Sequence, residues 1–197
     1  MLKPVLLLLA LCAWVSIVAA QEPVSEKGSP VTRTSGNVRA TVPGARGKAP
    51  IIGQVYIGER APDFVLDGSK GIPEQLSKQR GQWVLLAFGE RYRDLAGLDS
   101  LDINARDVGA RVITVAHEKQ QTLTSATARN KVNMLMLADA TGEVSAIYGL
   151  FDWGANTVDP GFFVIDRDGI VRLAIVGKLF PPDQMLELLR FATGTEQ

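Results

Sequence analysis

Cysteine and histidine are nearly missing from this sequence of 197 residues: there is one of each, Cys12 and His117. One cysteine excludes an internal disulfide framework, and one histidine without a second histidine or cysteine beside it cannot build an ordinary zinc site. A surplus of either charge is also missing. Lys+Arg and Asp+Glu stand at 21 each, so no basic excess points to nucleic acid, and electrostatics name no partner. No internal repeat is present. What remains is a chain with 46% hydrophobic residues, enough for one domain with a substantial core and tails.

Cys12 falls in a segment that reads as a secretory signal. Met1, Leu2 and Lys3 form a short basic start, residues 4–18 are an apolar run, and Val18-Ala19-Ala20 supplies small residues before Gln21. A retained membrane anchor is the competing reading, but the run is short for a span of about 20 apolar residues and lacks a basic stop-transfer flank. Lipidation of Cys12 is a further alternative, disfavoured because Leu11, not a small residue, precedes it. Cleavage after Ala20 is the expectation. The product would be exported, periplasmic or extracellular, with no membrane span. It would also hold no thiol, which removes thiolate nucleophiles and disulfide exchange together.

Residues 21–50 are rich in Pro, Gly, Ser, Thr and Arg and poor in large apolar side chains, a composition that cannot bury enough surface to offset the entropy of ordering. A flexible linker is expected there. Its charges, Glu22 and Glu26 against Lys27, Arg33, Arg39, Arg46 and Lys48, can touch an anionic envelope surface, but their dispersion favours a solvated spacer.

The folded domain is expected over 51–197. Residues 83–88, 111–116, 134–137 and 162–165 are short, nearly continuous apolar runs, as strands covered on both faces require. Between the first two, Leu95, Leu98, Leu101 and Ala105 recur at helical spacing with Asp99, Asp102 and Asp107 interleaved, which predicts an amphipathic helix with its carboxylates on the wet side. A surface helix over 119–131 anchored by Leu123 and Ala126, a short helix over 143–148 stopped by Gly149, and a final helix opening at Pro181-Pro182 follow from the same rules. Asp166-Arg167-Asp168-Gly169 joins two strands as a hairpin, the second arm being 170–176. Strand and helix alternation of this type predicts an α/β fold, a central mixed sheet flanked by helices with parallel pairs and an antiparallel edge.

Four stretches in this order carry a likeness: Ile57-Gly58-Glu59-Arg60-Ala61-Pro62-Asp63-Phe64, residues 81–88, Leu137 to Val144 leading to Tyr148-Gly149, and Phe162 to Gly169. Over about 57–192 the chain resembles the alkyl hydroperoxide reductase and thiol-specific antioxidant branch, the peroxiredoxins, of the thioredoxin-like superfamily. That resemblance implies a thioredoxin-like fold and, after the first core strand, a Thr-x-x-Cys segment at a helix start. There the helix N–H groups and a nearby arginine lower the thiol pKa so that the thiolate attacks peroxide. The ungapped counterpart here is Asp94-Leu95-Ala96-Gly97. The hydroxyl position is Asp94 and the cysteine position is Gly97, so no catalytic residue is carried over. Pro160 stands where redox-active relatives keep a cis-proline that can pair with an extended peptide; an ordinary trans proline ending the loop 151–160 is the equal alternative.

The remaining candidates are weaker. His117, after a strand end, has no visible catalytic partners. Glu90, Arg91, Tyr92, Arg93 and Asp94 form a charged loop whose arginines can hold an anion or merely face water. The loop 151–159, with Trp153, offers aromatics and carboxylates as a contact surface but lacks the ligand spacing of a calcium site. No metal and no cofactor is expected. The leading reading is a non-catalytic binding or scaffold module that takes a protein segment or small anionic ligand through Arg91, Tyr92, Arg93, Asp94, Trp153 and Pro160. A homodimer is a further possibility that no residue specifies. Two alternatives stand beside it: an oxidoreductase that uses a partner's thiol or a non-thiol site at Asp94 or His117, and a structural envelope protein held by the basic linker.

Overall fold

The computed structural model describes residues 55–194, so the signal at 1–20, Cys12 and the linker at 21–50 lie outside the described residues. In chain order the elements are β1 (Val65–Gly68), β2 (Pro73–Gln75), β3 (Trp83–Gly89), α1 (Tyr92–Leu95), α2 (Asp99–Ala105), β4 (Ala110–Ala116), α3 (Gln120–Asn130), β5 (Leu135–Ala138), α4 (Glu143–Ile147), β6 (Phe151–Asp152), β7 (Thr157–Val158), β8 (Gly161–Ile165), β9 (Val171–Val176) and α5 (Pro182–Thr193). Seven strands make one sheet in the order β2-β1-β5-β4-β3-β8-β9. β4 lies parallel to both β3 and β5, while β8 runs antiparallel to β3 and to β9. This is the mixed, helix-flanked sheet that the alternation predicts.

The apolar runs alternate between two cores. Leu85 and Ala87 of β3 point to one face, where Leu101, Leu123, Phe162, Met185 and Leu189 close over them. Val84, Leu86 and Phe88 point to the other and meet Phe64, Ile113, Tyr148 and Phe163. Period-two alternation with both faces apolar is what a central strand needs, and it explains why the run reads as continuous.

Four local differences from expectation have physical causes. The helix expected from Leu95 to Ala105 is broken: α1 has four residues, Ala96–Leu98 is a 3-10 turn, and α2 resumes at Asp99. Gly97 sits in the break, where its low helix propensity is tolerated. All four apolar positions still face the core. Second, Asp102 is not on the wet side but buried; its Oδ1 accepts the Val112 backbone N–H at 3.0 Å and its Oδ2 pairs with Arg106 at 2.6 Å. It fastens α2 to the start of β4, a role that periodicity cannot reveal. Third, the β1–β2 hairpin on the far edge and the small β6–β7 hairpin within 151–159 carry no apolar alternation long enough to read. In α3, Leu123 is buried as expected, but the second inward residue is Thr127, its hydroxyl donating to the Leu123 and Thr124 carbonyls, while Ala126 is only half-buried.

Candidate functional site

The turn that the sequence resemblance aligns with a Thr-x-x-Cys segment lies where β3 ends and the chain runs into α1. The two N–H groups that open this turn already have partners. The Arg91 N–H donates to Asp94 Oδ2 at 2.9 Å, and the Tyr92 N–H donates to Glu118 Oε2 at 2.9 Å. Asp94, expected to face a ligand, instead folds its carboxylate back onto its own turn, and its N–H donates to the Arg91 carbonyl. Three residues on, Gly97 is exposed, and a side chain built there would have nothing within 4 Å. Two N–H groups at the start of α1 are thus held by carboxylates of the chain itself, and Gly97 is open to solvent.

Arg91 and Arg93 are exposed, while Tyr92 is half-buried against the core layer under α2 and α5. The histidine belongs to this end of the sheet. Its backbone N–H donates to the Gly89 carbonyl at the end of β3. Its ring is 9% exposed, and Nδ1 has no hydrogen-bond partner, Glu90 Oε2 being 3.5 Å away. Glu90 Oε2 in turn accepts the Val158 N–H of β7 at 2.7 Å. The His117 ring stands edge-on to Phe151 at 5.2 Å between centroids, and Phe151 meets Trp153 at 4.7 Å. Glu90 and His117 therefore moor the β6–β7 hairpin to the end of β3, and the hairpin holds up Trp153, 64% exposed, at its tip.

Pro160 precedes β8 and is half-buried. It is trans, as no cis peptide bond occurs among the described residues, so the ordinary reading of this proline is the one the structure holds. Among the described residues no hydrogen bond, ion pair or ring contact joins Trp153 to Arg91, Tyr92, Arg93 or Asp94; Glu90, next to Arg91 in the chain, bonds to the hairpin at Val158. Glu118 and Phe151 carry the geometry that sequence reasoning missed. Phe151 is visible only as one aromatic in a loop, and nothing local marks Glu118 as the acceptor for a turn 26 residues away.

Among the described residues no three of His, Cys, Asp and Glu are grouped to hold a metal ion. Asp139 is fully buried, but its oxygens are consumed by the Val144 and Ser145 N–H groups and the Ser145 hydroxyl, as the start of α4 requires. Chemically this end of the sheet has an exposed indole, two guanidinium groups, a half-buried phenol and a moored histidine. Among the described residues it has no cysteine.

A family model described as the AhpC/TSA family matches residues 57–174. The chain is 31% identical to Peroxiredoxin 2 of Thermoplasma acidophilum over 137 residues, 60% of this chain and 65% of that protein. It is 28% identical to a selenocysteine-containing peroxiredoxin of Peptoclostridium acidaminophilum over 136 residues, 60% of this chain and 66% of that protein. The matched span is thus just under two thirds of these relatives' own length. Among solved structures, a peroxidoxin from Mycobacterium tuberculosis superposes with a TM-score of 0.64 at 20% identity, covering 73% of this chain and 99% of that one. A peroxiredoxin Q from Xylella fastidiosa gives 0.62 at 14%, with the same coverage of both chains. At these identities the two structures speak for the fold.

Proposed function

The chain belongs to the AhpC/TSA family, and we propose that it is an exported, non-catalytic member whose domain binds an extended protein segment at the former active-site face. The observation that supports this reading most is the state of the helix start. The position of the nucleophile is Gly97, and the N–H groups of Arg91 and Tyr92 are taken by Asp94 and Glu118. A peroxide finds no thiolate there, and two of the backbone donors that a small anion would use are already taken. The occupied donors also favour a protein segment over a small anion as the ligand.

Trp153 and Tyr92 are the anchors that suit such a segment, since large aromatic side chains at an interface supply contact area at little entropic cost. The alternative oxidoreductase reading, where it does not draw on a partner's thiol, needs a free group at Asp94 or His117. The first is spent on its own turn and the second is nine-tenths buried against Glu90 and Phe151.

Selection of extended peptides on the immobilised chain, followed by titration of the selected peptides into wild type, Tyr92→Ala and Trp153→Ala, tests the proposal. Loss of a hot-spot aromatic weakens binding by at least about tenfold, and that is the expected result for both variants. Trp153 is exposed, so its removal leaves the fold intact. Peptides that bind both variants as tightly as wild type would overturn the assignment of this face.

A further inference from the structure

At the opposite end of the sheet, where β3 begins and the β8–β9 turn closes, two guanidinium groups converge without an acid between them. The shallow cleft there is lined by Arg60, Asp63, Ser77, Arg80, Asp166 and Gly169, among others, and opens to solvent. Arg80 Nε lies 3.5 Å and Arg60 Nη1 lies 3.7 Å from the single point where a Cβ on Gly169 would sit. An anion at that point would be attracted by both charges at once. We propose that this cleft binds a phosphate-type oxyanion between Arg60 and Arg80, a site independent of the former active-site face.

The partners already present leave both guanidinium groups available. Arg60 Nη1 donates once, to the Asp168 carbonyl at 3.0 Å, and the Arg80 side chain has no hydrogen bond or ion pair among the described residues. The two carboxylates of the cleft are engaged elsewhere. Asp63 accepts from Gln75 Nε2 at 2.7 Å and from the Ser77 N–H at 2.8 Å. Asp166 accepts the Asp168 and Ile170 N–H groups through Oδ1 and the Arg172 guanidinium through Oδ2 at 2.6 Å. Burial opposes ionisation of Asp166, but the Ile170 and Asp168 N–H groups and Arg172 outweigh it and hold the carboxyl below its ordinary range. Its charge is therefore present and is offset by Arg172, which leaves Asp63 as the other carboxylate lining the cleft.

The chemistry of the guest follows from the two forks. One guanidinium satisfies both oxygens of a carboxylate, whereas two forks meeting at one point call for three or more oxygens, which a phosphate group has. Gly169 keeps the space open. Its φ of +84° suits glycine, and any side chain would project between the two guanidinium groups.

Phosphate titration of the full chain, read as a change in thermal midpoint against chloride at matched ionic strength, tests the site. Wild type is expected to show a saturable rise with inorganic phosphate, weakened at least about tenfold in Arg60→Gln and in Arg80→Gln and unchanged in Arg129→Gln, an exposed arginine on α3. Arg60 and Arg80 are themselves exposed, so the variants' midpoints without phosphate are expected to match wild type. A parallel arm with glycerol phosphate separates the sources: tighter binding of the ester assigns the site to an esterified phosphate, and equal binding to the free ion. A rise that does not saturate, that chloride reproduces, or that survives in both glutamine variants overturns the proposal.

Discussion

Tyr148→Ala is expected to lower the unfolding free energy by about 3–5 kcal/mol, out of the 5–15 kcal/mol typical of a domain. Tyr148 is fully buried, and three aromatic rings meet it: Phe88 at 5.0 Å, Phe163 at 5.0 Å and Phe64 at 6.1 Å. These rings come from the entry segment, β3 and β8, so one side chain ties three parts of the sheet's second face to α4. Its hydroxyl donates to the Pro62 carbonyl at 2.8 Å, and burial, with the Asp63 carboxylate adding to it, keeps the phenol protonated far above its ordinary pKa. Tyr148→Phe keeps the rings and loses the hydroxyl bond alone, for about 1 kcal/mol. Urea unfolding of the two variants separates packing from hydrogen bonding. Equal losses in both would show that the hydroxyl, not the aromatic cluster, holds this face.

Gly97→Cys in the chain beginning at Gln21 is expected to change thiol labelling from none to one equivalent, since no other cysteine lies beyond Cys12. The site has room for the side chain and is exposed. The new thiol is nevertheless expected to behave as an ordinary one, titrating near pKa ~8.5 and reacting slowly with peroxide. The features that would activate it are spent, because Glu118 and Asp94 hold the Tyr92 and Arg91 N–H groups and place negative charge where a thiolate would need positive. The pH dependence of alkylation reads this directly. An apparent pKa below about 7 would mean that the electrostatics of a peroxidatic site persist without its nucleophile.

Much of the fold is legible in the residues because its strands are covered on both faces. Residues 83–88 and 162–165 read as core strands since β3 and β8 have no wet side to break the run, and Asp166 to Gly169 reads as a turn since its chemistry is local. The edge hairpin of β1 and β2 is not legible: Pro73-Glu74-Gln75 is three residues long and held by pairing alone. Asp102 shows the same limit from another side. Its spacing on α2 fits a solvated position, and only the approach of the Val112 N–H from β4 makes burial favourable.

The candidate site was legible as a set of residues more than as a geometry. Gly97, which the resemblance aligns with the nucleophile position, is exposed after α1, and Trp153, read as part of a contact loop, is exposed as well. Asp94 reads as a charged residue at a loop mouth, but its place three residues into the turn makes it a cap. The mooring of the β6–β7 hairpin through Glu90 and His117 joins residues 68 positions apart in one contact, which no spacing rule reaches. Glu90 was visible as a charge, and its partner Val158 as an ordinary apolar residue.

The account turns on whether this domain does chemistry at all. The most direct measurement is peroxide consumption by the purified chain from Gln21 onward with a thiol reductant present, run beside Asp94→Ala and His117→Ala. The account predicts no consumption above the reductant alone in any of the three. Turnover in wild type that either substitution abolishes would contradict it and would establish a non-thiol active site at the end of β3.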